Sequence, residues 1–320
     1  MIILCADDFA LSRGVSAGIA QLARSRRLSA TSAIVTLPRW QCDAALLKAL
    51  SSTVAVGLHL NLTLGRPLID AGGTRRGRPG HIDRTGRLAS LGKLLHRAFA
   101  GRLDVEALTR ECAAQIDLFA RHSGDLPDFI DGHQHVHTLP QVRTALLRAI
   151  KQFSWRTPPL VRVPAGIIRL RGTAGRQLER RRTYRTGAKR RFIAWMGLGL
   201  RRELIAARLP HNDTFSGFSA FRVGSNYASE LRNAIDEYRA GAVHLIMCHP
   251  GHVDDELIAA GDEVTERRGE ELHCIETFER LPERIWQPER RADGRIDWEE
   301  IINAARSLNV TSDDDAGQAS

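Results

Sequence analysis

The chain has 320 residues, with 46 Lys or Arg, 37 Asp or Glu, and a formal charge of +9. Its 43% hydrophobic content is that of a globular protein, which excludes a disordered or fibrous chain. No run of eighteen apolar residues exists, so the sequence offers no spanning helix.

The opening MIILCADD reaches charge after a short apolar run, which predicts no secretory signal. Cysteines stand at 5, 42, 112, 248 and 274, an odd count without a C-x-x-C pair. That pattern argues against a disulfide framework or a structural zinc knuckle, and points to a reducing, cytoplasmic setting.

Short apolar runs alternate with amphipathic segments, the pattern of β/α units. Ile2 to Cys5 reads as a buried strand, and Ser12 as the cap of a helix presenting Val15, Ile19 and Leu22 on one face. Ser32 to Thr36 and Val54 to Leu60 read as further strands. Asp104 opens a helix with Leu108, Cys112, Ile116 and Phe119 at helical spacing. Phe129 to Asp131 reads as a short strand, and Pro140 suits the first turn of a helix carrying Val142, Leu146 and Ile150. Leu160 to Val163 and Val243 to Cys248 complete the strands, the latter preceded by a helix around Leu231, Ile235 and Tyr238 that stops near Gly241.

Residues 70 to 90, rich in Gly, Arg and Asp, predict a long loop, and 311–320 a disordered tail. The fold expected is α/β: a single β/α barrel, seven-stranded and irregular, over 1–285, with a C-terminal extension over 286–310.

The charge is not spread evenly. Twelve basic residues and one acid, Glu179, fall between Arg169 and Arg202, while the remainder holds 34 basic and 36 acidic residues. This segment interleaves its bases with Phe192, Ile193, Trp195, Met196, Leu198 and Leu200. It reads as a solvated helical insertion or as a contact with an anionic membrane surface, to which the protein would be peripheral. No nucleic-acid motif accompanies the charge, so no nucleic-acid partner is expected. A homo-oligomer is left open.

Polar clusters recur just after the apolar strands. Asp7 and Asp8 follow the first; His59 ends the third; Asp131, His133, His135 and His137 follow Phe129 and Ile130; His249 and His252 follow Cys248. In a parallel barrel those strand ends meet at one face, where active sites are built. One carboxylate with two imidazoles makes a three-ligand site for Zn²⁺ or a related divalent ion. A second carboxylate can then take a water's proton, and another histidine can donate one. Side chains of adjacent residues on a strand point to opposite faces, so Asp7 and Asp8 reach one site only if the backbone bends. Each cluster taken alone has a structural reading, as a helix cap, a half-buried strand residue or a turn; their recurrence at strand ends favours chemistry.

ADDFALS at 6 to 12, GLHLNLT at 57 to 63, DGHQHVH at 131 to 137 and MCHPGH at 247 to 252 occur in the order of the YdjC-like carbohydrate deacetylases, which the chain resembles from residue 1 to about 285. That family includes chitooligosaccharide deacetylases and hopanoid-biosynthesis-associated deacetylases. The resemblance implies a barrel hydrolase that removes acetyl groups from N-acetylated sugars with one divalent ion, usually Mg²⁺. It places the metal on Asp8, His59 and His133, the general base at Asp7 and the proton donor at His249. Asp131, His137 and Asn61 become substrate-binding or ligand-orienting residues. The family usually has Asn where Cys5 stands and Gly where Ala10 stands. A metal-dependent phosphoesterase is the alternative enzyme, and a barrel binding anionic lipid or polymer through 169–202 the non-enzymatic one.

Overall fold

The computed structural model describes residues 1–69, 80–166, 177–218, 226–236, 238, 241–262 and 264–307, with the side chains of 177–186 left out. The expectations for residues 70–79 of the 70–90 loop, the first part of the basic segment and the tail at 311–320 lie outside these residues.

Seven parallel strands form one sheet: β1 (Ile2–Phe9), β2 (Ala30–Ala33), β3 (Ala55–Leu60), β4 (Phe129–Gly132), β5 (Leu160–Val161), β6 (Thr214–Ser216) and β7 (His244–Cys248). Their spatial order is β5-β4-β3-β2-β1-β7-β6. The sheet curls until its edges approach. Val161 at one edge bridges His211, just before β6 at the other, and the Asn212 amide donates to the Val163 carbonyl and accepts from its N–H. Parallel pairing demands crossovers, and the helices that supply them cover the outside. Ile2, Leu4 and Ala6 of β1 join the helical layer, while Ile3 and Cys5 point into the barrel.

Strand alternation therefore sorts the chain into outer and inner faces. The lower inner layer is apolar: Ile3, Ala30, Ala55, Phe129, Leu160 and Leu245. Gly57 is required opposite Phe129, its ladder partner, because a Cβ there would lie 2.6 Å from the ring. The floor is closed by the chain beyond 285. Ile296, Trp298 and Ile302 join the inner cluster, and the Trp298 indole donates to the Asp128 carbonyl at 2.6 Å. No described helix is long and apolar enough to cross a membrane.

The expected strands are present with shifted ends. β1 runs four residues past Cys5, and β2 starts at Ala30, two residues before the sequence reading, because Ala30 is held in register by both Cys5 and Ala55. Helices Trp40–Leu50, Leu91–Phe99 and Thr265–Thr277, and strand β6, have no counterpart in the sequence reading.

Several histidines outside the candidate ligand set sit buried, His135 among them, and burial favours their neutral form. His81, His137 and His244 are each pushed down to about 4, mainly by burial. An unfolded chain protonates them near 6.5, so between pH 6.5 and 4 it binds more protons than the native state. Stability then rises with pH across that window, by up to about 1.4 kcal/mol per pH unit per histidine. Thermal melts between pH 7 and 5 should show Tm falling with pH. The paired variant His81→Gln/His244→Gln should fall less steeply, and equal slopes would remove these groups as the cause.

Candidate active site

Above the apolar layer, the same inward alternation brings polar side chains together. On β1, Asp7 follows Ile3 and Cys5; on β2, Ser32 follows Ala30; on β3, His59 follows Ala55 and Gly57. On β4, Asp131 follows Phe129, and Arg162 stands two residues after Leu160 of β5. All five are at most 2% exposed, so their polar atoms must find one another.

Asp8 breaks this parity and reaches the site through a distortion. The β1–β2 ladder slips between Ala6 and Phe9, and Asp8 takes φ +69° with Ala10 at φ +68°. Such a bulge turns consecutive side chains toward one place. Ala10 thus takes a left-handed φ that glycine would adopt without steric cost.

The Asp8 Oδ1 atom lies 2.9 Å from His133 Nδ1 and 3.3 Å from His59 Nε2. One ligand atom from each of the three falls within 4.8 Å of the others. Arg268 donates to the other oxygen, Asp8 Oδ2, at 2.7 Å, and is itself held by Asp262. That leaves Oδ1 facing the imidazoles. His59 is oriented from behind: its Nδ1 meets Asp131 Oδ1 at 2.6 Å, and the Ser32 hydroxyl lies 3.0 Å from both Nδ1 and Asp131 Oδ2. A carboxylate behind a ligating imidazole is the usual support of a metal site. One carboxylate, two imidazoles and this backing fit a divalent ion.

Asp7 sits beside this trio, its Oδ2 4.0 Å from His59 Nε2. Arg162 grips it with two bonds, 2.7 Å to Oδ2 and 2.5 Å to Oδ1, and also reaches Asp131 Oδ2 at 2.5 Å and Cys5 Sγ at 3.1 Å. Burial pushes the Asp7 carboxyl up, but Arg162 and His59 outweigh it and bring it to about 2. Asp8 is likewise driven well below the carboxylate range, Arg268 and His133 overcoming its burial. His59 is lowered by burial but raised more by Asp131 and Asp7, to about 10. Holding an ion through Nε2 would require that proton to leave, so loading is coupled to proton release.

His249 lies close enough to feel Asp8, Asp7, Arg268 and His59, and burial lowers it below 6.5. Its backbone N–H donates to Glu271 at 2.5 Å. The Nε2 of His137 instead meets the Arg162 carbonyl at 2.9 Å, holding the end of the turn His133–Thr138 against the residue that follows β5. The side chain of Asn61 is engaged with Thr36, Thr63 and Leu64, shaping the loop after β3.

Arg162, Arg268, Ser32 and Glu271 were not foreseen from the sequence. Alternation carries a signal for two of them. Arg162 follows the inward Leu160, and Ser32 follows the inward Ala30, just as Asp131 follows Phe129. Arg268 and Glu271 come from helix Thr265–Thr277, and no spacing links them to the strands.

A family model described as YdjC-like protein matches residues 1–279. Chitooligosaccharide deacetylases from Yersinia pestis (strain Pestoides F) and Yersinia pseudotuberculosis serotype O:1b (strain IP 31758) are each 37% identical over 142 residues, 44% of this chain and 52% of theirs. The chain thus aligns with about half the length of those curated relatives. A solved structure from Enterococcus faecalis V583, described as a candidate cellobiose-phosphate cleavage protein, superposes with a TM-score of 0.63 at 21% identity. It covers 94% of this chain and 98% of that one, a likeness of fold.

Proposed function

Because the chain belongs to the YdjC-like family, we propose that it is a metal-dependent hydrolase that removes the N-acetyl group from an amino sugar, free in an oligosaccharide or lipid-linked, and releases acetate. The observation that carries this reading is the meeting of Asp8, His59 and His133 at one point, with Asp7 beside them. These three would hold the ion. When bound, a divalent ion lowers the pKa of its water and polarises a carbonyl oxygen.

The chain's own residues divide the proton work. Asp7, kept ionised by Arg162, orients the attacking water and accepts its proton. A carboxylate brought to about 2 is a weak base, so the proton does not rest there and must move on. His249, neutral through burial, is suited to receive a proton and hand it to the sugar nitrogen as the C–N bond breaks. Water and amide thereby become acetate and amine, with no proton gained or lost beyond those two products' own equilibria.

A two-metal phosphoesterase would need a second ion site. The other donor cluster found among the described residues, Cys5, Asp7 and Asp131, already surrounds a cation, the guanidinium of Arg162. On ligand chemistry two imidazoles favour Zn²⁺ or a similar ion, whereas the Mg²⁺ implied by the resemblance prefers oxygen.

Acetate release from a panel of N-acetylated sugars, with metal content measured on the same sample, tests the proposal. Turnover that tracks about one equivalent of divalent metal is expected, and turnover of phosphate esters alone would overturn it. Asp131→Asn should weaken metal binding roughly 10–100-fold by freeing the His59 ring, measured by competition with a chelating dye. Unchanged affinity would exclude Asp131 from that support.

A further inference from the structure

Helix Leu91–Phe99 and the long helix Gln177–Ala207 meet at an exposed aromatic cluster. The Phe99 ring lies 5.6 Å from Phe192 and 6.2 Å from Trp195, and Phe192 lies 6.1 Å from Trp195. Phe99 is 47% exposed and Trp195 61%. Leu198 at 46% and Ile205 at 60% continue the apolar surface along the long helix. On the other side of that helix, Ile193, Met196, Leu200 and Leu204 are buried in the core. At 100° per residue, Arg191, Trp195, Leu198, Arg202 and Ile205 fall on one outward stripe.

Charge flanks this stripe on both helices. Between residues 188 and 205 the long helix carries Lys189, Arg190, Arg191, Arg201 and Arg202 and one acid, Glu203, which is paired with Arg143. The shorter helix carries Lys93, His96 and Arg97, which with Arg84 and Arg102 line a cleft of about 590 Å³ that also has Asp83 on its wall. Bulky apolar side chains set among basic ones are the composition of a surface that lies in a membrane interface, the rings entering the headgroup boundary and the bases meeting anionic lipid. With no described helix able to span, the contact would be peripheral. The buried side of the same helix packs on the turn that begins with His133, the Thr138 hydroxyl donating to Met196 Sδ at 3.9 Å.

We infer that the surface formed by Phe99, Phe192, Trp195, Leu198 and Ile205, with the basic residues beside it, docks the protein on an anionic membrane surface. Charge complementarity selects this occupant. A second copy of the chain would bring the same basic residues face to face across the apolar stripe.

The test is co-sedimentation of the full chain with vesicles of phosphatidylcholine alone or with phosphatidylglycerol added, at low and high salt. Wild type should pellet with the anionic vesicles, lose most of that binding at high salt, and stay largely in the supernatant when the vesicles are neutral. Phe99→Ser/Phe192→Ser/Trp195→Ser should lower binding roughly tenfold or more. Arg191→Glu/Arg202→Glu should lower it about fivefold or more for each charge removed. These positions are on the surface, and an unchanged Tm establishes that the variants fold. His133→Ala should bind vesicles as wild type does, so the result stands apart from the deacetylase reading. Equal pelleting with both vesicle types, or undiminished binding by the triple variant, would overturn the inference. So would a dimer in sedimentation velocity that the triple variant abolishes.

Discussion

Asp7→Asn should lose deacetylation by roughly 10²–10⁴-fold, the range set by removing one general acid–base group, while metal binding persists. The amide keeps the shape of the carboxyl and can still accept one bond from Arg162, so the pocket should hold its form. The variant does lose the capacity to take a proton. Asp7 is not among the three side chains whose ligand atoms converge, its Oδ2 standing 4.0 Å from His59 Nε2. Metal content should therefore match wild type, and single-turnover acetate release reads the chemical step. Retained turnover would remove Asp7 from the proton-accepting role, whereas loss of metal would make it a ligand.

Replacing Arg162 should be the most destabilising change in the site. Its guanidinium is fully buried and bonded to both Asp7 and Asp131. Arg162→Met fills much of the volume but strands two buried carboxylates. Breaking a buried ion pair from one side costs roughly 3–5 kcal/mol, a Tm decrease on the order of 10 °C for a chain of this size. Arg162→Lys should fall between, since an ammonium cannot grip Asp7 with two parallel bonds and reach Asp131 as well. Adding Asp131→Asn to Arg162→Met removes one stranded charge and should recover part of the loss, which separates electrostatics from packing. A Tm within two degrees of wild type for Arg162→Met would show that the two carboxylates do not depend on it.

Both predictions concern the same layer of the barrel, and they differ in how far the sequence exposed it. Asp7, Asp8, His59 and His133 were legible because polar residues of ligating type followed short apolar runs, a local pattern. The bend that joins Asp7 to Asp8 was legible as a requirement, since alternation sends neighbours to opposite faces. The bulge and the left-handed backbone at Asp8 and Ala10 meet that requirement. Arg162 was in plain view within a predicted strand. Its inward direction follows only once Leu160 is known to face the barrel floor, and the partner of Leu160 lies on β4, some thirty residues earlier.

By itself the sequence determined the parallel β/α alternation, the strand ends at which polar side chains gather and the donor types they present. Those depend on local hydrophobic period and residue identity. Tertiary structure alone decided which cations neutralise the site. Arg162 and Arg268 arrive from segments about 155 and 260 residues away from Asp7 and Asp8. Buried carboxylates require a counter-charge, but Coulomb attraction and desolvation act through space, and nothing in the linear order names the arginine that will supply it. The aromatic patch has the same origin. Trp195 and Phe192 share a helix, yet Phe99 joins them only because the end of a second helix, far away in the chain, meets the first at that point.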